Sequence, residues 1–215
     1  MSFLLKLLFQ VPVLLLSLTI HEYSHGRVAY LLGDDTAKRA GRLTLNPISH
    51  IDPIGLLMLF VVHIGWAKPV PINPHNFKNY KRDTALTAAA GPVSNFLMAI
   101  LLSIIFALAR NSFPNQYLMN GLQSFIISFL FYGILINLAL GIFNLIPIPP
   151  MDGSKILGGF LTDEQYYKYT AKEHQGAMIL MLIFAVDYFL HLGIIGRIIR
   201  VPLSLLLRLL TGIEI

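Results

Sequence analysis

The chain has no cysteine among its 215 residues. That absence excludes disulfide cross-links, thiolate nucleophiles and cysteine-built zinc sites, so a metal held here must be held by His, Asp or Glu. Charge is scarce as well: Asp, Glu, Lys and Arg make up 13% of the residues, against roughly 25% in an average soluble domain. No low-complexity tract, internal repeat or long polar linker sets off a soluble appendage. The expected organisation is therefore one membrane-embedded domain over residues 1–215. The apolar run at the start has only Lys6 ahead of its core and no small-x-small cleavage site, so it reads as structure and not as a removable leader.

What is present in abundance is hydrophobic: 55% of the residues, with a mean hydropathy of +0.67. The pattern predicts an all-α polytopic membrane protein with four to six transmembrane or re-entrant helices and a short membrane-associated β element. Spans are expected over about 3–32, 84–109, 122–146 and 177–195, with a possible kink at Gly91-Pro92 in the second. Ile54 to Trp66 would make a helix of only about 20 Å, short of the roughly 30 Å hydrocarbon core, so it reads as re-entrant or shallow. Arg42-Leu43-Thr44-Leu45 alternates and predicts the strand. The tail from Arg197 is apolar with arginines spaced through it, fitting either the interface or a poor extra span. The net charge of +5 and pI near 9.5 come from short basic segments between apolar runs. That placement fits positive-inside loops and not a nucleic-acid groove, and it puts the connections around Lys38 to Arg82 and Lys155 to Lys172 on the cytoplasmic side.

Into the end of the first span the sequence sets His21-Glu22-Tyr23-Ser24-His25. On a helix, positions i and i+4 share a face, so both imidazoles can reach one Zn2+ while Glu22 addresses a water on the metal. Hydrogen bonds to neighbouring helices are the competing reading. A charged side chain at bilayer depth costs about 2.5–3.5 kcal/mol, however, and a metal compensates such a cluster more completely. Catalytic zinc takes three protein ligands. Asp152 in NLIPIPPMDG is the preferred third, on a turn that three prolines cut into the end of a span. Asp187, with His191 one turn later, is its competitor. His50 and Asp52 in NPISHIDPIG, flanked by prolines, read as turn builders.

These residues resemble the site-2 proteases, intramembrane zinc metalloproteases that cut membrane-anchored substrates. HEYSH, LTLNPISHIDPIG, GWAKPVPINP, AAGPVSN and NLIPIPPMDG occur in the order and at about the spacing of the family's small prokaryotic members, covering 20–153, with helices beyond the matched core at about 177–211. The resemblance implies His21, His25 and Asp152 as zinc ligands and Glu22 as the catalytic acid/base. It places Asn95 and Asn144 near the site, as candidates for holding an oxyanion or positioning substrate. The chain has no room for the PDZ or CBS domain that many relatives carry. The expected protein is a multi-pass cell-membrane hydrolase with its site toward the cytoplasm. Its partners are then the lipid bilayer and a membrane-anchored protein substrate, with no nucleic acid. The alternatives are a catalytically inactive zinc-binding scaffold or regulator, and a metal transporter. A transporter would repeat His and Asp along several spans, whereas here they concentrate at one level.

Overall fold

A backbone in hydrocarbon must satisfy its own hydrogen bonds, and for a single segment only the helix does so. The structure, a computed structural model, describes residues 3–62, 65–112 and 121–213. In chain order the helices are α1 (Phe3–Leu31), α2 (Thr36–Arg39), α3 (Pro53–Val62), α4 (Tyr80–Ser112), α5 (Gly121–Asn144), α6 (Asp152–Phe160), α7 (Asp163–Thr170), α8 (Glu173–Leu190) and α9 (Ile194–Thr211). Single 3₁₀ turns lie at Pro47–His50 and Pro74–Asn76. Among the described residues α4, α5 and α8 are long and apolar enough to cross a bilayer. α1, at 29 residues, is roughly 44 Å long at 1.5 Å per residue.

α4 is the central helix, packed against α1, α5, α6 and α9. It starts at Tyr80, earlier than the apolar pattern predicts, because its first turn is capped from both sides. The Asn79 side chain accepts from the Arg82 amide at 3.1 Å, and the Asp83 carboxylate accepts from the Asn79 amide at 3.0 Å. Pro92 sits inside the helix without ending it. The apolar core gathers Ala99 and Phe106 of α4, Leu130, Ile134 and Leu138 of α5, and Leu207 of α9. α9 is thus held by its leucine face, with Ile198, Val201, Leu205 and Leu209 exposed on another.

The expected β element is not formed. Among the described residues there is no sheet, and the one β-bridge joins Ile51 to Ala67, beside a hydrogen bond from the Lys68 amide to the His50 carbonyl at 2.9 Å. The alternation at Arg42 to Leu45 has another cause. Leu43 reaches inward against α1 beside Gly26, the Arg42 guanidinium donates to the Lys68 carbonyl at 2.8 Å, and the Thr44 carbonyl is taken by His50 Nε2 at 2.8 Å. The short segment is α3, whose 10 residues reach only about 15 Å. Asp52 caps it by accepting from the Ile54 and Gly55 amides, each at 2.9 Å.

Beyond the end of α1, the buried Asp34 ties the 69–77 segment down. Its carboxylate accepts from the Thr36 amide and hydroxyl, the Asn73 amide at 2.7 Å and the Asn76 side chain at 2.7 Å. Burial pushes this carboxyl up, but the hydrogen bonds from Thr36, Asn73 and Asn76 outweigh it and hold it below the usual carboxylate range. A folded pKa below the unfolded one means that the stabilisation is present above about pH 4 and is lost as the pH falls through the folded value. Hydrogen bonds to a charged group contribute about 1.5–3 kcal/mol each. Asp34→Ala is therefore expected to speed amide hydrogen exchange at Asn73 by tenfold or more at neutral pH. At a pH low enough to protonate Asp34 in the native protein, that difference from wild type should shrink.

Candidate metal centre

His21 and His25 lie on one face of α1, one turn apart and buried against α4. Each ring nitrogen on the far side meets a carbonyl oxygen: His21 Nδ1 lies 2.6 Å from Asn95 Oδ1, and His25 Nδ1 lies 2.7 Å from the Thr87 backbone oxygen. A carbonyl oxygen only accepts, so each Nδ1 carries a proton and donates, which leaves Nε2 as the ring nitrogen able to bind a metal. These two Nε2 atoms face one another at 3.0 Å.

Asp152 completes the group. It opens α6 immediately after Pro147, Pro149 and Pro150, and its Oδ2 lies 3.2 Å from both His21 Nε2 and His25 Nε2. That oxygen is buried with no hydrogen-bond partner. The turn delivers it because Gly153 has no side chain: a Cβ there would stand 2.2 Å from the Leu145 carbonyl oxygen.

Three potential ligand atoms thus converge, an arrangement that calls for a cation between them. Four ligands at about 2.0–2.1 Å around a tetrahedral zinc lie roughly 3.3–3.4 Å apart, within a few tenths of an ångström of the observed separations. His21, His25 and Asp152 also form the group of metal-ligating side chains found among the described residues, and an N, N, O donor set suits zinc. Gly91 on α4 leaves the space for it. A Cβ built there would lie 2.4 Å from His25 Nε2 and 2.6 Å from His21 Nε2.

Glu22 lines the same cavity, of about 400 Å3, together with Val70, Asn144 and Asp152. Its Oε2 accepts from the Val70 amide at 2.8 Å, in a segment where Pro69 and Pro71 flank Val70. Asn144 lines the cavity and donates to the Leu140 carbonyl at 3.0 Å. Asn95 is placed differently. It is fully buried behind His21, with Oδ1 on that ring and Nδ2 on Asn137 at 3.0 Å. The competitor Asp187 is absent from the group: its Oδ1 accepts from the Ile194 amide, and His191 adopts the left-handed turn that ends α8. His50 and Asp52 build turns. Sequence reasoning took Gly91 for part of a kink and missed its place beside the two imidazoles, and it missed Thr87 and Asn137. The available signal for Asn137 was an asparagine in the middle of an otherwise apolar span.

Residues 9–186 match the family model described as Peptidase family M50. The chain belongs to this family, the site-2 proteases. It is 38% identical over 179 residues to "Putative zinc metalloprotease YwhC" of Bacillus subtilis, covering 82% of this chain and 80% of that one. To "Putative zinc metalloprotease Rip2" of Mycolicibacterium smegmatis it is 29% identical over 175 residues, covering 79% of this chain and 63% of that one. No solved structure matches. The M50 relatives are named for zinc, and this chain supplies a group of side chains able to hold it.

Gly91→Ala is expected to leave the protein in the membrane but strip it of zinc, because the added methyl falls where the two Nε2 atoms and their metal must be. Metal analysis of the purified variant should find far less than the wild-type zinc content; full occupancy would show that α4 can move aside.

Proposed function

We propose that this M50 protein is an intramembrane zinc endopeptidase that hydrolyses a peptide bond within or near the transmembrane segment of a membrane-anchored protein. His21, His25 and Asp152 hold the metal. Glu22 acts as general base and then general acid. The observation that carries this reading is the convergence of three potential metal ligands beside a carboxylate that shares their cavity.

Bound there, zinc supplies a Lewis acid and brings the pKa of a water molecule to about 7. The chain's own groups do the rest. With one oxygen anchored on the Val70 amide, the Glu22 carboxylate is held in place, and its second oxygen takes the proton of the attacking water and returns it to the leaving nitrogen. Asn144, at the cavity wall, is the group suited to receive a developing oxyanion or a substrate carbonyl. Asn95 acts from behind, holding His21.

The whole chain works as one membrane-embedded domain that spans the cell membrane several times, its cavity opening toward the cytoplasm. The basic connections between Lys38 and Arg82 support that orientation, as does the need for water at a site of hydrolysis. A substrate helix must unwind before its peptide bond can be attacked, since its carbonyls and amides are otherwise bonded to each other.

Glu22→Gln is expected to retain zinc at the wild-type level while cleavage of a co-expressed membrane substrate falls by about 10²–10⁴-fold, the usual contribution of general acid–base catalysis. Metal analysis and immunoblotting of the substrate provide the two readings. Persistent cleavage by a zinc-loaded glutamine variant would sink the assignment.

A further inference from the structure

Asn137 lies in the middle of α5, fully buried, in a helix whose other buried residues are Leu130, Gly133, Ile134, Leu138 and Gly141. It touches neither the cavity nor the three metal-binding atoms. It is nonetheless joined to His21 through an unbroken series of hydrogen bonds. Asn137 Nδ2 donates to Ser17 Oγ at 2.9 Å and to the Gly133 carbonyl at 2.9 Å. Asn95 Nδ2 then donates to Asn137 Oδ1 at 3.0 Å, and His21 Nδ1 donates to Asn95 Oδ1 at 2.6 Å.

An amide side chain has a donor end and an acceptor end, and the two differ in nothing but a flip. Here the flip is decided at the end far from the metal. The Gly133 carbonyl has no proton to give. Ser17 has one, but it is already committed to the Val13 carbonyl at 2.8 Å. Both partners therefore demand the NH2 end of Asn137, which turns its oxygen toward Asn95. That oxygen demands the NH2 end of Asn95, whose second proton points to the Ser17 carbonyl at 3.4 Å. Asn95 then has only its oxygen left for His21, so Nδ1 of His21 must carry a proton and Nε2 is the nitrogen left to bind a metal.

We infer that Asn137 is a positioning residue of the metal centre: it fixes the orientation of Asn95 and, through it, the tautomer of His21 that can bind zinc. The inference rests on the reading of His21 as a metal ligand. A buried network whose every member is satisfied holds one arrangement, whereas a partly satisfied one does not. Without Asn137 the Asn95 amide loses the partner that sorts its ends, and its NH2 can turn to His21 and stabilise the tautomer with Nε2 protonated. Groups that orient metal-bound histidines typically cost 10–100-fold in metal affinity when removed.

The test is a double-mutant cycle read by competition for zinc with a chelator of known affinity, on the full-length protein in detergent. Asn137→Leu is expected to weaken zinc binding by about 10–100-fold, although residue 137 makes no contact with the ligand atoms. Asn95→Leu should do at least as much, and the double variant should be no weaker than Asn95→Leu alone. Unchanged zinc affinity in Asn137→Leu, or losses that multiply in the double variant, would overturn the inference. A second reading needs no variant: in zinc-loaded protein with 15N-labelled histidine, His21 should carry its proton on Nδ1 and its metal on Nε2. Metal on Nδ1 would overturn the inference even if the leucine variant failed to fold. Wild-type protein that binds no zinc would sink the metalloprotease reading itself, whereas zinc-loaded wild type with an insensitive Asn137→Leu would sink only this one.

Discussion

The architecture around the cavity depends on the close approach of three potential metal ligands: two imidazole nitrogens 3.0 Å apart and a carboxylate oxygen 3.2 Å from each. In a low-dielectric interior such a cluster is costly unless a cation lies within it. The protein forces the approach by using what a helix supplies without effort, one face carrying i and i+4, and by bringing the third atom from the distant start of α6. Gly91 and Gly153, beside this group, are among the places where other chain comes too close for any side chain.

The membrane shapes how that arrangement is supported. Near the metal group the helices are joined by polar side chains, with Ser17 of α1, Asn95 of α4 and Asn137 of α5 bonded to one another. A different set of contacts holds α4, α5 and α9 together through Phe106, Ile134 and Leu207. Lipid offers apolar surfaces no hydrophobic drive to associate, so close packing and interhelical hydrogen bonds bring helices together there. Each polar residue in the first set has its partners inside the protein, which is the condition for placing it in an apolar environment at all.

Much of the site was legible in sequence because its first half is local. HEYSH needs only the geometry of one helix to be read, and α1 is helical through it. Asp152 was legible for a different reason: three prolines around it mark broken backbone at a depth where broken backbone must serve a cavity. Gly91 was read as a kink together with Pro92, although its role is to make room. Asn137 was passed over because its partners are at positions 17 and 95, a relation no periodicity records. The strand expected at Arg42 to Leu45 failed for a related reason. Its alternation is genuine, but it reflects Leu43 turning toward α1 and Arg42 reaching the Lys68 carbonyl, not pairing with a neighbouring strand.

The segment that passes over Glu22 is polar in one direction only. From Lys68 to Pro71 every backbone N–H is either engaged or missing: Lys68 donates to His50, Val70 donates to Glu22, and Pro69 and Pro71 have none. That stretch is an edge of one polarity, unable to complete a ladder with a copy of itself. A peptide laid along it finds carbonyl oxygens to donate to and no free amide in return. Helical backbone, whose amides are turned inward to its own carbonyls, has nothing to offer such an edge, whereas an uncoiled one does. The prolines beside Val70 therefore leave this stretch with carbonyl acceptors and no free amide, a polarity that only backbone with unpaired amides can match.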